Sequence, residues 1–95
     1  MTIKKIKVGE KYIQTLVIPL QSKNLIVLRG SRGYCMCGYL NLGAADKFKD
    51  TAVKIVGVSN IREALKAKVK AVSCSAKRLG IYKNQPVKDV LKIIA

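Results

Sequence analysis

Apolar positions change their period at about residue 41. Ahead of that point they fall in short runs rich in β-branched and aromatic residues, as strands require. Residues 3–8 mix Ile3, Ile6 and Val8 with Lys4, Lys5 and Lys7. Lysines of this kind discourage further pairing, so the segment reads as an edge strand. Gly9-Glu10 suits a turn. Tyr12 to Ile18 is a second strand, with Pro19 at its margin. Asn24 to Arg29 is apolar on both faces, which predicts a central strand. Gly30-Ser31-Arg32-Gly33 reads as a hairpin turn, and Tyr34 to Leu40 as the next strand.

Beyond residue 41 the spacing becomes helical. Asn41 suits a helix N-cap, and Leu42, Ala45 and Phe48 keep helical spacing in a helix that ends near Asp50. Ala52 to Val58 (AVKIVGV) returns to a strand. Ser59-Asn60 precedes a second helix, where Asn60 and Glu63 resemble a capping box. A third helix is predicted from about Val69 to Leu79. Its apolar stripe is Val69, Val72, Ala76 and Leu79, with Lys77 and Arg78 near the negative end and Gly80 as the C′ residue. A last helix opens near Pro86, at the first helical position, and buries Val87, Val90, Leu91 and Ile94. The fold class is α+β: a mixed β-sheet of about five strands in the first two-thirds, with three or four helices mainly in the second half. The chain has 95 residues, which suits one domain over 1–95.

Charge narrows the functional classes. Nineteen Lys and Arg face five Asp and Glu, giving +14, and there is no histidine. Such a balance attracts polyanions. The basic residues are scattered from Lys4 to Lys92, and only five residues are aromatic, which gives no obvious base-stacking platform in the sequence. No apolar stretch approaches the roughly twenty residues of a membrane span, and none follows the N-terminal charges as in a secretory leader. A cytoplasmic protein without membrane partners is expected.

The strand at 34–40, the helix at 41–50 and the strand at 52–58 make a compact βαβ candidate. If its strands are parallel, their carboxyl ends share one edge, and a helix N-terminus follows each. The candidate ligand site is therefore Cys37, Gly38, Asn41, Gly57, Ser59 and Asn60, favouring an anion or a carbonyl oxygen. Each residue also has a purely structural use, in capping or close packing. Cys35 and Cys37 fall on one face of the strand, with Tyr34 and Met36 on the other. A metal site is not expected, because further ligands are lacking and histidine is absent. No cofactor is implied. A catalytic Cys37 would need a base or cation to form its thiolate, and no Cys–His pair exists. Cys74, placed on a helix near Lys70, Lys77 and Arg78, is a candidate reactive thiol, but it reads first as an exposed small residue with no role. Both strand cysteines read first as small buried apolar residues.

Three stretches resemble the YunC-like domain of unknown function, the DUF1805 family. They are Gly33-Tyr34 with Met36-Cys37-Gly38, Leu40 and Asn41; Val56-Gly57-Val58-Ser59-Asn60-Ile61 with Leu65; and Ala76 with Leu79-Gly80-Ile81. The resemblance is strongest over 33–94 and implies a small α/β domain. It supplies no catalytic residue, places Cys37 at a family position, and leaves Cys35 and Cys74 at variable ones. The family's glycine-rich turn before the last helix reads Asn84-Gln85-Pro86-Val87 here, where Asn84 can take the left-handed conformation. The functional expectation is a binding or interaction module that captures a small anion or acidic partner at paired helix N-termini. Non-specific nucleic-acid binding through the basic surface is the first alternative, and a thiol-dependent enzyme using Cys37 the second. A homodimer through the helical face stays open.

Overall fold

Alternation in the first half of the chain builds a sheet with two unequal faces. The computed structural model describes residues 2–37 and 42–95. Among the described residues six strands run in sequence order across the sheet: β1 (Thr2–Val8), β2 (Lys11–Pro19), β3 (Asn24–Arg29), β4 (Tyr34–Met36), β5 (Ala52–Lys54) and β6 (Ala71–Val72). All neighbours are antiparallel except β4 and β5, which are parallel. The helices are α1 (Leu42–Lys47), α2 (Ile61–Lys66), α3 (Cys74–Arg78) and α4 (Val87–Ile94). The fold is thus α+β, with a mixed sheet first and helices mostly after it.

Paired residues share a face. The partners Ile6 and Ile13, then Leu28, Cys35 and Val53, define the inner one. Ile26, Cys37 and Ile55 continue it. This face packs against Ala64 of α2, Ala76 of α3 and the stripe Val87, Val90, Leu91 and Ile94 of α4. On the opposite face the described residues form a smaller cluster, in which Ala45 and Leu42 of α1 pack with Met36, Ala52 and Tyr34. The outer face of β1–β3 has no such buried cluster among the described residues, and Ile3 stays half exposed there.

The predicted elements recur with local differences. The helix expected over 69–79 begins only at Cys74. Ala71–Val72 pair with β5 instead, because Lys70 N–H donates to Lys54 O and Ser73 N–H to Ala52 O. Ser73 then caps α3 by accepting from Ala76 N–H. Sheet pairing and a serine cap outweigh the helical stripe. Leu79 therefore lies outside the core rather than in it. α1 stops at Lys47, Lys49 turns through φ 60°, and Phe48 is 73% exposed instead of completing a buried stripe. Pro86 is the N-cap of α4, one position before its first helical residue. The strands expected to reach Leu40 and Val58 end at Met36 and Lys54. Cys37 and Ile55 extend them by single hydrogen bonds to Ile26 O and Met36 O. Residues 38–41, which include the expected Asn41 cap, lie outside the described residues. Asn84 adopts φ 72°, as expected of that turn.

The loop from Gly30 to Gly33 is held from two sides. Gly30 N–H donates to Gly33 O at 2.8 Å, closing the hairpin. Arg32 N–H donates to Ile94 O at 2.8 Å, and the Ser31 hydroxyl to the Ala95 main-chain oxygen at 3.1 Å. A Cβ at Gly30 would collide with the Ile94 carbonyl, and one at Gly33 would sit 2.6 Å from Thr51 O. Both obstacles are main chain and cannot rotate away. Replacing Gly30 by alanine is therefore expected to destabilise the fold by about 1–3 kcal/mol. That lowers Tm by roughly 4–8 °C per kcal/mol at this size. Thermal denaturation of Gly30→Ala measures it, and an unchanged Tm would contradict the close approach.

Candidate functional site

Sheet register assembles a row that the linear sequence scatters. Lys5 pairs with Gln14, Gln14 with Arg29, Arg29 with Tyr34, and Tyr34 with Ala52. The row lies on the outer face, and Lys7 paired with Tyr12 flanks it toward the β1–β2 turn. Over it lie two adjoining depressions. One, of about 380 Å³, is lined by Arg29, Ser31, Arg32, Tyr34, Lys49 and Asp50, among others. The other, of about 360 Å³, is lined by Lys5, Tyr12, Gln14 and Arg29, among others. They share Arg29, Gly30 and Ser31 as a common wall. The resulting cleft carries the cations Lys5, Arg29, Arg32 and Lys49 against the single carboxylate of Asp50.

That carboxylate is already engaged. Tyr34 Oη donates to Asp50 Oδ2 at 2.9 Å. The Tyr34 hydroxyl is pushed up to about 12, first by burial, then by this hydrogen bond and the Asp50 charge. Tyr34 N–H donates to Thr51 O at 3.0 Å, so both ends of the residue are tied to the 50–51 segment. Tyr12 by contrast is 59% exposed. The Ser73 hydroxyl, fully buried, supports the segment from below. It donates to Asp50 O at 2.8 Å and accepts from Ala52 N–H at 3.0 Å.

The site expected from the sequence lies at the other end of β4. Gly38 and Asn41 lie outside the described residues. Cys37 is buried, and its Sγ accepts the Ile26 N–H at 3.4 Å. Gly57 turns through φ 73° with open space beside it. Asn60 caps α2 by accepting Glu63 N–H at 2.8 Å, and the Glu63 carboxylate accepts Ser59 N–H at 2.7 Å. Glu63 thus reaches back past the N-cap residue to Ser59, a variant of the capping box that places a carboxylate where an anion would bind. The sequence did not point to Asn24, whose Nδ2 donates to Ser59 O at 2.8 Å. Asn24 and Ile26 thus anchor Ser59 and Cys37 to one end of β3. Lys5, Tyr12, Arg29, Arg32 and Lys49 were equally unmarked. The only local signal was the Arg-Gly-Ser-Arg-Gly turn.

Burial alone pushes Cys35 up to about 12. Cys74 is exposed at the start of α3, and its N–H donates to Asp46 Oδ1 at 2.7 Å. Lys70 precedes that helix instead of sharing it with Cys74. Among the described residues no cluster of three metal-ligating side chains occurs. None of their helices is long and apolar enough to cross a membrane.

The family model for a domain of unknown function, DUF1805, matches residues 36–94. The chain belongs to the DUF1805 family. A solved structure, a protein of unknown function (TA1206) from Thermoplasma acidophilum, is similar throughout. It is 34% identical, with a TM-score of 0.96, over 99% of this chain and 92% of that one. No curated protein matches the chain. Family membership therefore brings a fold without an activity, and function has to be argued from the DUF1805 domain's own surface.

Two consequences follow for the thiols. A thiol reagent is expected to modify Cys74 alone in the folded protein and all three cysteines after denaturation, read by absorbance; rapid labelling of Cys37 in the native state would contradict its burial. Ionisation of Cys35 is also linked to stability. The unfolded thiol ionises near 9.0 and the folded one near 12, so the folded state holds the proton longer. That contribution is intact below about pH 9 and is lost as pH rises toward 12. Urea midpoints measured across this window should fall less in Cys35→Ala than in the parent.

Proposed function

We propose that this domain is a binding module for phosphate-bearing polymers, nucleic acid foremost, acting through the cleft over the Lys5–Gln14–Arg29–Tyr34 row. One observation carries this reading. Four cations from β1, β3, the 30–33 loop and the α1–β5 turn line two adjoining depressions that share Arg29, and the one carboxylate among their described lining residues is already hydrogen-bonded. Arginine matches phosphate oxygens with paired donors, and lysine adds unpaired charge. The overall +14 charge raises the encounter rate with any polyanion.

The two other functions considered from the sequence have less physical support. An anion at Ser59–Asn60 would have to displace the Glu63 carboxylate from Ser59 N–H. A Cys37 nucleophile would have to leave a buried position and its bond from Ile26 N–H.

Fluorescence anisotropy with labelled mixed-sequence oligonucleotides, single-stranded and duplex, tests the proposal. Binding is expected at low salt. Four phosphate contacts give a slope of log K against log salt of about −3 for single strands. The double variant Arg29→Glu, Arg32→Glu is expected to weaken binding by an order of magnitude or more, with its circular dichroism unchanged. Failure to bind either form of nucleic acid at low salt would overturn the proposal.

A further inference from the structure

The composition of the cleft wall bears on which form of nucleic acid it accepts. We infer that the occupant is a single strand, laid across the β-strands from Lys5 to Lys49, with an unpaired base on the Tyr12 ring. This rests on the proposed nucleic-acid reading and specifies its substrate class.

Three features converge. First, the row crosses four strands, β1 to β4, and so spans about 14 Å at the usual strand spacing. Lys5 and Arg29 lie on that line, and Arg32 and Lys49 line the depression that holds its Tyr34 end. A flexible backbone can follow such a line of point charges.

Second, Tyr12 lines the cleft while remaining 59% exposed, and it pairs across the sheet with Lys7. An exposed ring beside cations on an open sheet face is what an unstacked base can cover. In a duplex the base faces are stacked on one another, so a ring at the protein surface finds only backbone and groove edges. The aromatic count is low, yet Tyr12 and Tyr34 both fall on this cleft and Phe48 directly precedes Lys49.

Third, the cleft has a firm floor and end wall. Tyr34 is tied to Asp50 through its hydroxyl and to Thr51 through its N–H. The 30–33 loop is pinned to Ile94 and Ala95. The cations therefore project from main chain that is fixed before binding, which reduces the ordering cost. Lys7, Lys88 and Lys92 line a separate, more apolar groove with Leu65 and Leu91, which lacks both an aromatic ring and an arginine.

Anisotropy titrations of the full chain decide it, using labelled oligo-dT, oligo-U and a duplex of equal length at matched salt. The single strands are expected to bind at least five-fold more tightly than the duplex. Tyr12→Ala should lower single-strand affinity about ten-fold and leave duplex affinity unchanged. Tyr12→Phe should restore it, since the face and not the hydroxyl is used. A control, Lys88→Ala with Lys92→Ala, should alter single-strand affinity less than two-fold. Equal binding of duplex and single strand, or a Tyr12→Ala variant with full affinity, would overturn this inference and leave the broader proposal standing. Absence of binding to all three probes would overturn both.

Discussion

Contact of main chain with main chain at Gly30 and Gly33 is the constraint on which the cationic cleft depends. α4 buries Val87, Val90, Leu91 and Ile94 against the inner face of the sheet. That packing brings the Ile94 carbonyl against Gly30, where a side chain would not fit. The same carbonyl receives Arg32 N–H, while Thr51 O meets Gly33 and receives Tyr34 N–H. Each such hydrogen bond contributes only about 1 kcal/mol net, yet together they allow the loop one position. The loop in turn sets Arg29 and Arg32. Apolar packing on one face of the sheet thereby orders charges on the other.

The second support is a single hydroxyl. Ser73 is fully buried, and its Oγ donates to Asp50 O while accepting from Ala52 and Ala76 N–H. It joins the 50–52 segment, β6 and α3 at one point. Asp50 is thus held both by its main chain and through the Tyr34 hydroxyl. Without that second bond the carboxylate would be freer to neutralise a neighbouring cation. A chain of charge +14 repels itself when folded. A polyanionic occupant of the cleft would relieve part of that repulsion, which couples binding to stability.

Much of the scaffold was legible because local chemistry and tertiary demand agree. Asn24–Arg29 is a central strand in both readings, and the Asn60–Glu63 box caps α2 as its spacing suggests. The parallel pairing of β4 with β5 meets the condition that the βαβ candidate carried. Disagreement arises where long-range pairing decides. Val72 belongs to a helical stripe, but hydrogen-bond positions on β5 claim residues 71–72 as a strand. Phe48 has helical spacing, but the turn at Lys49 comes first. The cleft was the least legible feature. Lys5, Tyr12, Arg29 and Lys49 are far apart in sequence, and only strand register makes them neighbours. A small change of register would disperse them. Helix N-termini, by contrast, can be read from a few adjacent residues, which is why they dominated the expected site. Glu63 fills one of them from within the chain.

Chemical-shift mapping of the backbone amides during titration with a single-stranded oligonucleotide locates the occupant on the surface. Shifts are expected to concentrate at Lys5, Tyr12, Gln14, residues 29–33 and residues 49–51, while α2 and the exposed side of α4 stay still. Shifts centred on residues 59–66 or on the exposed side of α4, or spread evenly over the basic surface, would contradict that placement.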